Sequence, residues 1–190
     1  MARRMIGIAG APGAGKTTYA EHLVAASIRD GVGAAYVPMD GFHLADVALA
    51  GLGILDRKGA PETFDAWGFA ALLGRLRERP DHVVWAPGFE RDLEQPLAGA
   101  IGVEPEPELV VTDGNYLLLD RPEWRAVRDQ LDEVWFLDCP DEVRRPRLVA
   151  RHVEFGKSPA EAEAWVARVD DANAALVAES RARADHVVVP

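Results

Sequence analysis

A glycine-rich segment near the start of the chain has the residue types and spacing of a phosphate-binding loop. Residues 10–17 read Gly-Ala-Pro-Gly-Ala-Gly-Lys-Thr and satisfy the pattern G-x-x-x-x-G-K-[ST] between an apolar strand and a helical pattern. The glycines let backbone N–H groups converge on phosphate oxygens, and the helix N-terminus adds partial positive charge. We therefore expect a nucleoside triphosphate here, although tight packing alone also places glycines in such turns.

The residues of this loop have distinct expected roles toward the nucleotide. Lys16 is placed to reach the β- and γ-phosphates, Thr17 to ligate Mg²⁺, and Thr18 to contact the α-phosphate. The predicted cofactors are ATP and Mg²⁺, and a GTPase switch is disfavoured because the sequence contains no Asn-Lys-x-Asp motif. The residues expected to surround the phosphates are Gly10, Ala11, Pro12, Gly13, Ala14 and Gly15.

Two carboxylates follow apolar runs, at the edge of a parallel sheet where ligands bind. Asp40 could accept the proton of an attacking hydroxyl, orient that hydroxyl, bind Mg²⁺ through water, or cap the following helix. Asp113 ends a run typical of a Walker B strand and is the second metal-side carboxylate, binding directly or through water. Taken alone, an Asp-Gly strand end is also an ordinary turn. His43, three residues after Asp40, is a further candidate.

A basic segment follows the strand predicted over 133–138. On a helix, Arg144, Arg147 and Arg151 fall at i, i+3 and i+7, so one face could carry three guanidiniums toward the phosphates. This segment, residues 141–158, is the predicted lid. The alternative is a solvated helix face paired with neighbouring acids.

Short β-rich runs alternate with helical patterns, which predicts βαβ units. We expect an α/β fold, a three-layer α/β/α sandwich with a parallel sheet of about five strands, because several runs are apolar on both faces. The Gly- and Pro-rich stretches 51–64 and 87–107 are predicted to be irregular substrate-facing loops or lids. One domain over 1–190 is expected. The candidate strands are 5–8, 34–38, 82–86, 109–112, 133–138 and 186–189, and the candidate helices are 15–29, 65–79, 122–131, 140–155 and 159–181.

Together these features resemble the uridine kinase, phosphoribulokinase and pantothenate kinase group of P-loop kinases. Residues 58–65, Lys-Gly-Ala-Pro-Glu-Thr-Phe-Asp, resemble an acceptor-side stretch of the pantothenate kinases. Residues 87–91 and 113–119 are similar to a bacterial subset described as fructose-transport-system or nucleoside/nucleotide kinase-like proteins. The resemblance implies Asp40 as the catalytic base, Lys16 on the nucleotide, and Arg147 and Arg151 in the lid.

The resemblance also implies that Asp65 and Arg91 lie near the acceptor. The substrate-side candidates are Asp40, His43, Lys58, Phe64, Asp65, Arg91 and Asn115. The family often has Glu where this chain has Asp113, and bacterial pantothenate kinases of this type are considerably longer, so pantothenate is less favoured than the 58–65 stretch alone suggests.

Composition limits the partners. The 190 residues include 21 Lys and Arg against 31 Asp and Glu, a formal net charge of −10, which works against general binding to nucleic acid or anionic lipid. No run approaches the roughly 20 apolar residues that cross a bilayer. The single cysteine, Cys139, cannot form an internal disulfide, so a cytoplasmic location is expected. A homodimer is left open.

The sequence thus predicts an enzyme that transfers the γ-phosphoryl group of ATP to a hydroxyl of a small metabolite, such as a sugar, a nucleoside or a pantothenate-like alcohol. One alternative is a nucleoside monophosphate kinase, whose phosphate acceptor needs no base. Another is a protein that binds nucleotide without turnover, which the presence of both Asp40 and Asp113 disfavours.

Overall fold

The computed structural model describes residues 3–189. Its main sheet has five parallel strands in the order β2-β5-β1-β6-β7, flanked by helices, which confirms the predicted three-layer α/β class. The strands, numbered along the chain, are β1 Arg4–Ala9, β2 Ala34–Tyr36, β3 Val84–Glu90, β4 Gln95–Val103, β5 Leu109–Gly114, β6 Glu133–Leu137 and β7 His186–Val188.

The predicted helices lie close to their expected positions, whereas the short helix Asp46–Leu52 was not predicted. The predicted helix over 159–181 is two helices joined by a π-helical turn, Val166–Asp170. The α-helices are α1 Lys16–Arg29, α2 Asp46–Leu52, α3 Ala66–Arg77, α4 Pro122–Arg128, α5 Asp141–Glu154, α6 Pro159–Trp165 and α7 Asp171–Ala178. Within residues 3–189, no helix has both the length and the apolar character needed to cross a membrane.

Strands β1 and β5 lie at the centre of the sheet, and their register positions the ligand-binding edge. Every residue of β5 is buried, as expected for a strand with a helical layer on each face. Ala9 of β1 is paired with Gly114 of β5, so the two strands end side by side. The loop after β1 and the polar residues that end β5 therefore meet at one edge.

The predictions for residues 82–107 were wrong in part. The strand predicted over 82–86 does not join the parallel sheet, and residues 87–107 are not an irregular loop. Instead β3 and β4 form a separate antiparallel hairpin with a register shift between Ala86 and Gly88. Proline and glycine made this segment look irregular, but a two-stranded hairpin has two edges, where missing backbone donors and bulges are tolerated.

Candidate active site

The phosphate loop occupies the turn between β1 and α1. Gly13 and Gly15 have φ of 78° and 91°, the left-handed region that favours glycine. A Cβ on Gly13 would also lie 2.8 Å from the carbonyl oxygen of Arg144, so α5 packs directly on the loop. The N-terminus of α1 has no side-chain cap. Its N–H groups are therefore available to phosphate oxygens, as the motif requires.

Lys16 lies inside the site and is 8% exposed. Its Nζ donates hydrogen bonds to the carbonyl oxygen of Ala11, at 3.0 Å, and to Oδ1 of Asn115, at 2.6 Å. Burial lowers the pKa of Lys16 to about 8, against the opposing effects of Asp113 and Asp40. Asn115, predicted to bind the acceptor, thus also holds the phosphate-side lysine.

Asp113 lies at the end of β5 and connects two neighbouring elements. Its Oδ2 accepts a hydrogen bond from the Thr17 hydroxyl at 2.9 Å, and its Oδ1 accepts one from the Tyr36 hydroxyl at 2.6 Å. Burial raises the pKa of Asp113, and the nearby Asp40 adds to this effect. Sequence reasoning did not identify Tyr36, whose only signal is its position at the end of β2, next to β5 in the sheet.

The pairing of Thr17 with Asp113 fits a Mg²⁺ site, because hydroxyl and carboxylate oxygens are the ligands that Mg²⁺ prefers. Among residues 3–189, no group of three or more His, Cys, Asp or Glu could hold a metal ion. Mg²⁺ in kinases is usually held by one or two carboxylates together with substrate phosphates, so a small ligand set is what such a site requires.

Asp40 lies in a short 3₁₀ turn, Met39–Phe42, between β2 and α2. A Cβ on Gly41 would lie 2.2 Å from the carbonyl oxygen of Pro87, so glycine permits the turn to pack against β3. The Asp40 side chain does not cap a helix. Instead its Oδ2 accepts a hydrogen bond from Nη2 of Arg91 at 2.7 Å, which makes an ion pair between the turn and the end of the hairpin strand.

The charges around Asp40 keep it ionised. Burial acts to raise the pKa of Asp40, but the positive charges of His43, Arg91 and Lys16 outweigh it and lower the pKa below the usual value. Burial also lowers the pKa of His43 itself, so at neutral pH that ring is uncharged.

The acceptor-side candidates fall into two groups. His43, Phe64 and Phe89 form an aromatic wall, with ring centroids 4.0 Å and 4.8 Å from that of His43. Lys58 lies beside this wall, and its Nζ donates to Oδ1 of Asp46 at 2.6 Å. Asp65 does not line the cavity: its carboxylate caps α3 by accepting from the Gly68 N–H at 2.8 Å. The side chain of Asp65 is therefore used at the helix start and not on the cavity wall.

The prediction that three arginines of α5 point toward the phosphates was wrong for Arg144. Arg144 is 2% exposed and bonds to Asp141 at 2.6 Å and to Asp171 of α7 at 2.7 Å, so it joins α5 to α7. Arg151 lines the cavity. Arg147 is exposed and lies outside the cavity lining, with its Nη1 3.7 Å from where a Cβ on Gly15 would lie.

Sequence analysis did not identify three further residues of the cavity wall: His152 of α5, Asp170 at the end of the π-helical turn, and Asn173 of α7. Nε2 of His152 lies 2.9 Å from Oδ2 of Asp170, and both side chains are largely buried. One turn further along, Nδ2 of Asn173 donates to the carbonyl oxygen of Gly59 at 3.3 Å. These contacts connect α5 to the π-helical turn and α7 to the 54–60 loop. No local sequence pattern indicates pairings across 18 and 114 positions.

One cavity of about 680 Å³ is lined by Lys16, Thr17, Asp40 and Asp113, by the aromatic wall, and by Arg151, Asp170 and Asn173. It extends from the phosphate loop, past Asp40 and Asp113, to the aromatic wall and the Asp170 side of α7. A cavity of this size can hold a triphosphate end together with a small acceptor.

The chain is similar to known kinases. The model of the "Phosphoribulokinase / Uridine kinase family" matches residues 5–78. The chain is 36% identical over 152 residues to the "ATP-dependent kinase-like protein notR'" of Aspergillus versicolor, covering 75% of this chain and 88% of that protein. It is 34% identical over 175 residues to a candidate uridine kinase of Schizosaccharomyces pombe, covering 85% and 72%.

A solved structure is similar over nearly the whole length. The crystal structure of a candidate fructose transport system kinase from Silicibacter sp. TM1040 superposes with a TM-score of 0.91 at 39% identity, covering 98% of this chain and 90% of that one. YFH7 from Saccharomyces cerevisiae, a P-loop protein, superposes with a TM-score of 0.77 at 19% identity, which supports the fold alone.

Proposed function

Because this chain belongs to the phosphoribulokinase and uridine kinase family of small-molecule kinases, we propose that it transfers the γ-phosphoryl group of ATP to a hydroxyl of a small metabolite. The observation that carries the proposal is the position of Asp40. An ionised carboxylate borders the same cavity as Lys16 and the Thr17–Asp113 pair, where a hydroxyl could lie against the γ-phosphate.

The phosphate side of the cavity binds and orients the nucleotide. Backbone N–H groups of residues 13–18 and the ammonium of Lys16 hold phosphate oxygens, and Thr17 and Asp113 would hold Mg²⁺. When bound, Mg²⁺ supplies positive charge that offsets the charge on the transferred group. Tyr36 fixes the Asp113 carboxylate through its hydrogen bond, so that the other oxygen faces Thr17.

The acceptor side of the cavity provides the base. The acceptor hydroxyl donates its proton to Asp40 as its oxygen forms a bond to phosphorus, and the bond from phosphorus to the leaving ADP oxygen breaks. Arg91 holds the Asp40 carboxylate in place. In this proposal residues 141–158 act as a lid, and Arg151 offsets the negative charge of the transferred group.

A nucleoside monophosphate kinase is less well supported. Its acceptor phosphate needs cations free to bind it, whereas Arg91 is paired with Asp40 and Lys58 with Asp46. A non-catalytic nucleotide binder would not need a carboxylate at the position of Asp40.

The direct test is a screen for acceptor-dependent ADP release. Sugars, nucleosides, nucleotides and pantothenate are each added to the wild-type protein with ATP and Mg²⁺, and Lys16→Ala is the matched inactive variant. We expect at least one alcohol to stimulate ADP release in wild type only. Stimulation by nucleoside monophosphates alone, or equal rates in the two proteins, would refute the proposal.

A further inference from the structure

The charge of the cavity wall on the acceptor side narrows the substrate class. We propose that the acceptor is an uncharged compound with several hydroxyl groups, and that phosphorylated or carboxylated acceptors are rejected. This inference rests on the proposed function, since it concerns what occupies the cavity beside Asp40. The inference follows from three properties of the acceptor-side wall: its excess of acids over bases, the pairing of its bases with protein groups, and its unbonded hydrogen-bond acceptors.

Acidic side chains outnumber basic ones on this wall once Lys16 and Asp113 of the phosphate side are set aside, together with Arg151, which the proposed function assigns to the transferred group. Five acids line it, against the three bases Lys58, Arg91 and Lys157. Counting both lining histidines as charged would bring the wall only to neutrality. The five acids are Asp40, Asp46, Asp56, Glu94 and Asp170.

The bases are also engaged by groups of the protein. Arg91 is bonded to Asp40, and Lys58 to Asp46 and to the carbonyl oxygen of Glu94. The ammonium of Lys157 lies 5.0 Å from the ring centroid of Trp165, at the lid. A carboxylate or phosphate on the acceptor would compete with Asp40 or Asp46 for Arg91 and Lys58, which weakens its binding in a partly buried site.

Asp170 gives the acceptor-side wall a hydrogen-bond acceptor to which a substrate hydroxyl can donate. It is 7% exposed and ends the π-helical turn, a distortion often found at functional sites. One of its oxygens contacts His152, and the other has no protein partner among residues 3–189. Asn173, three residues on and also lining the cavity, uses its amide nitrogen on Gly59 and leaves its carbonyl oxygen unbonded within the same part of the chain.

These groups recognise donors, not anions. A buried carboxylate oxygen and a free amide oxygen accept hydrogen bonds, so they fit the hydroxyls of a polyol. The opposite wall of Phe64, Phe89 and His43 is aromatic and fits the apolar face of a ring or carbon chain. The bound triphosphate adds further negative charge, which repels an anionic acceptor across the few ångströms needed for transfer.

The test compares acceptors that differ in one group. Glucose and glucuronate, glycerol and glycerate, and panthenol and pantothenate each differ by replacement of a CH₂OH group by a carboxylate. Methyl esters of the acids are neutral and also lack that hydroxyl. They therefore separate the effect of the negative charge from the effect of losing the hydroxyl. With wild-type protein, ATP and Mg²⁺, we expect kcat/KM for neutral members to exceed that for the acids by about tenfold or more.

Charge variants make the test independent of the acceptor that responds best. Asp46→Asn frees Lys58 and Asp170→Asn removes a buried negative charge, so each should lower the neutral-to-acid preference by about tenfold while changing KM for ATP by less than about twofold. Asp81→Asn, a fully exposed site, is the matched control and should leave the preference unchanged. If either Asp46→Asn or Asp170→Asn fails to fold, the acceptor preference is measured with the other variant.

The outcomes separate the two proposals. A preference of the wild-type protein for the acids, or equal use of acids and esters, overturns the inference and leaves the kinase assignment standing. An unchanged preference in both Asp46→Asn and Asp170→Asn likewise overturns it. If no neutral or acidic alcohol stimulates ADP release, nucleosides included, the proposed function itself fails, and the inference with it.

Discussion

Replacing Asp40 by asparagine tests the proposed chemistry most directly. The substitution keeps the shape of the side chain and an oxygen that can still accept the hydrogen bond from Arg91, now 2.7 Å away. It removes the negative charge and the capacity to accept a proton. Because Gly41 fixes the turn against Pro87 through close backbone packing, we expect the position of residue 40 to be retained.

The expected loss follows from the environment of Asp40. General-base catalysis typically contributes about 10²- to 10⁴-fold. Its neighbours lower the pKa of Asp40, which makes it a weak base, and a loose transition state demands little proton transfer. Both effects favour the lower part of that range. We therefore expect kcat to fall by about 10²- to 10³-fold, or about 3–4 kcal/mol of activation free energy.

The assay measures turnover and nucleotide affinity separately. Phosphoryl transfer to the best acceptor is followed by ADP release, and affinity for a non-hydrolysable ATP analogue with Mg²⁺ is measured by calorimetry. We expect affinity to change by less than about threefold, because Asp40 is assigned to the acceptor and not to the phosphates. Asp120→Asn is the matched control, since Asp120 also pairs with an arginine, Arg125, but at an exposed site.

Two results would refute this reasoning in different ways. If analogue affinity falls with the rate and added Mg²⁺ restores activity, Asp40 acts on the metal. If Asp40→Asn retains most of the activity, no carboxylate base operates and a phosphate acceptor becomes the better explanation.

Three further predictions concern the phosphate loop, the lid and the turn. Lysine is charged below its pKa, and burial lowers the pKa of Lys16 to about 8. Calorimetry should therefore show the affinity for an ATP analogue falling as the pH rises from 7 to 9.5. Lys16→Arg should remove this pH dependence, because arginine stays charged over that range. Steady-state kinetics should show Arg151→Ala lowering kcat by about 10²-fold, and Arg147→Ala, outside the cavity, by less than about tenfold; equal losses would contradict the lid geometry. Urea unfolding should show Gly41→Ala destabilised by about 1–3 kcal/mol, with Gly51→Ala, whose Cβ meets nothing within 4 Å, neutral or stabilised.

The phosphate side of the site could be predicted because its information is local. An apolar run followed by a glycine loop and Lys16 specifies a strand, a turn and a helix start within about a dozen residues. Asp113 could be added because parallel strands in an α/β sheet end at the same edge, so a carboxylate after an apolar run must lie near that loop.

The acceptor side was less predictable because its contacts join distant segments. Spacing placed Arg144 on a helix face, but only the packing of α7 shows that Asp171 holds it away from the phosphates. The cap made by Asp65 could have been predicted, because Asp65 is the first residue of the predicted helix 65–79 and aspartate is a preferred N-cap residue. Asp170 and His152 carry no motif, and their pairing depends on the π-helical turn.

The two sides of the cavity are built from different parts of the fold, and this has a consequence for how specificity can change. Asp113 lies at the end of the buried central strand β5, and Lys16 and Thr17 begin α1 after the loop that follows β1. Arg91, on the β3–β4 hairpin, lies outside the main sheet, and Asp40 is held by its contact with that hairpin. Substitutions in the hairpin or the 54–60 loop can therefore reshape the acceptor wall at little cost to the sheet. A change in acceptor specificity should thus require far fewer compensating substitutions than a change in the site that binds the nucleoside triphosphate.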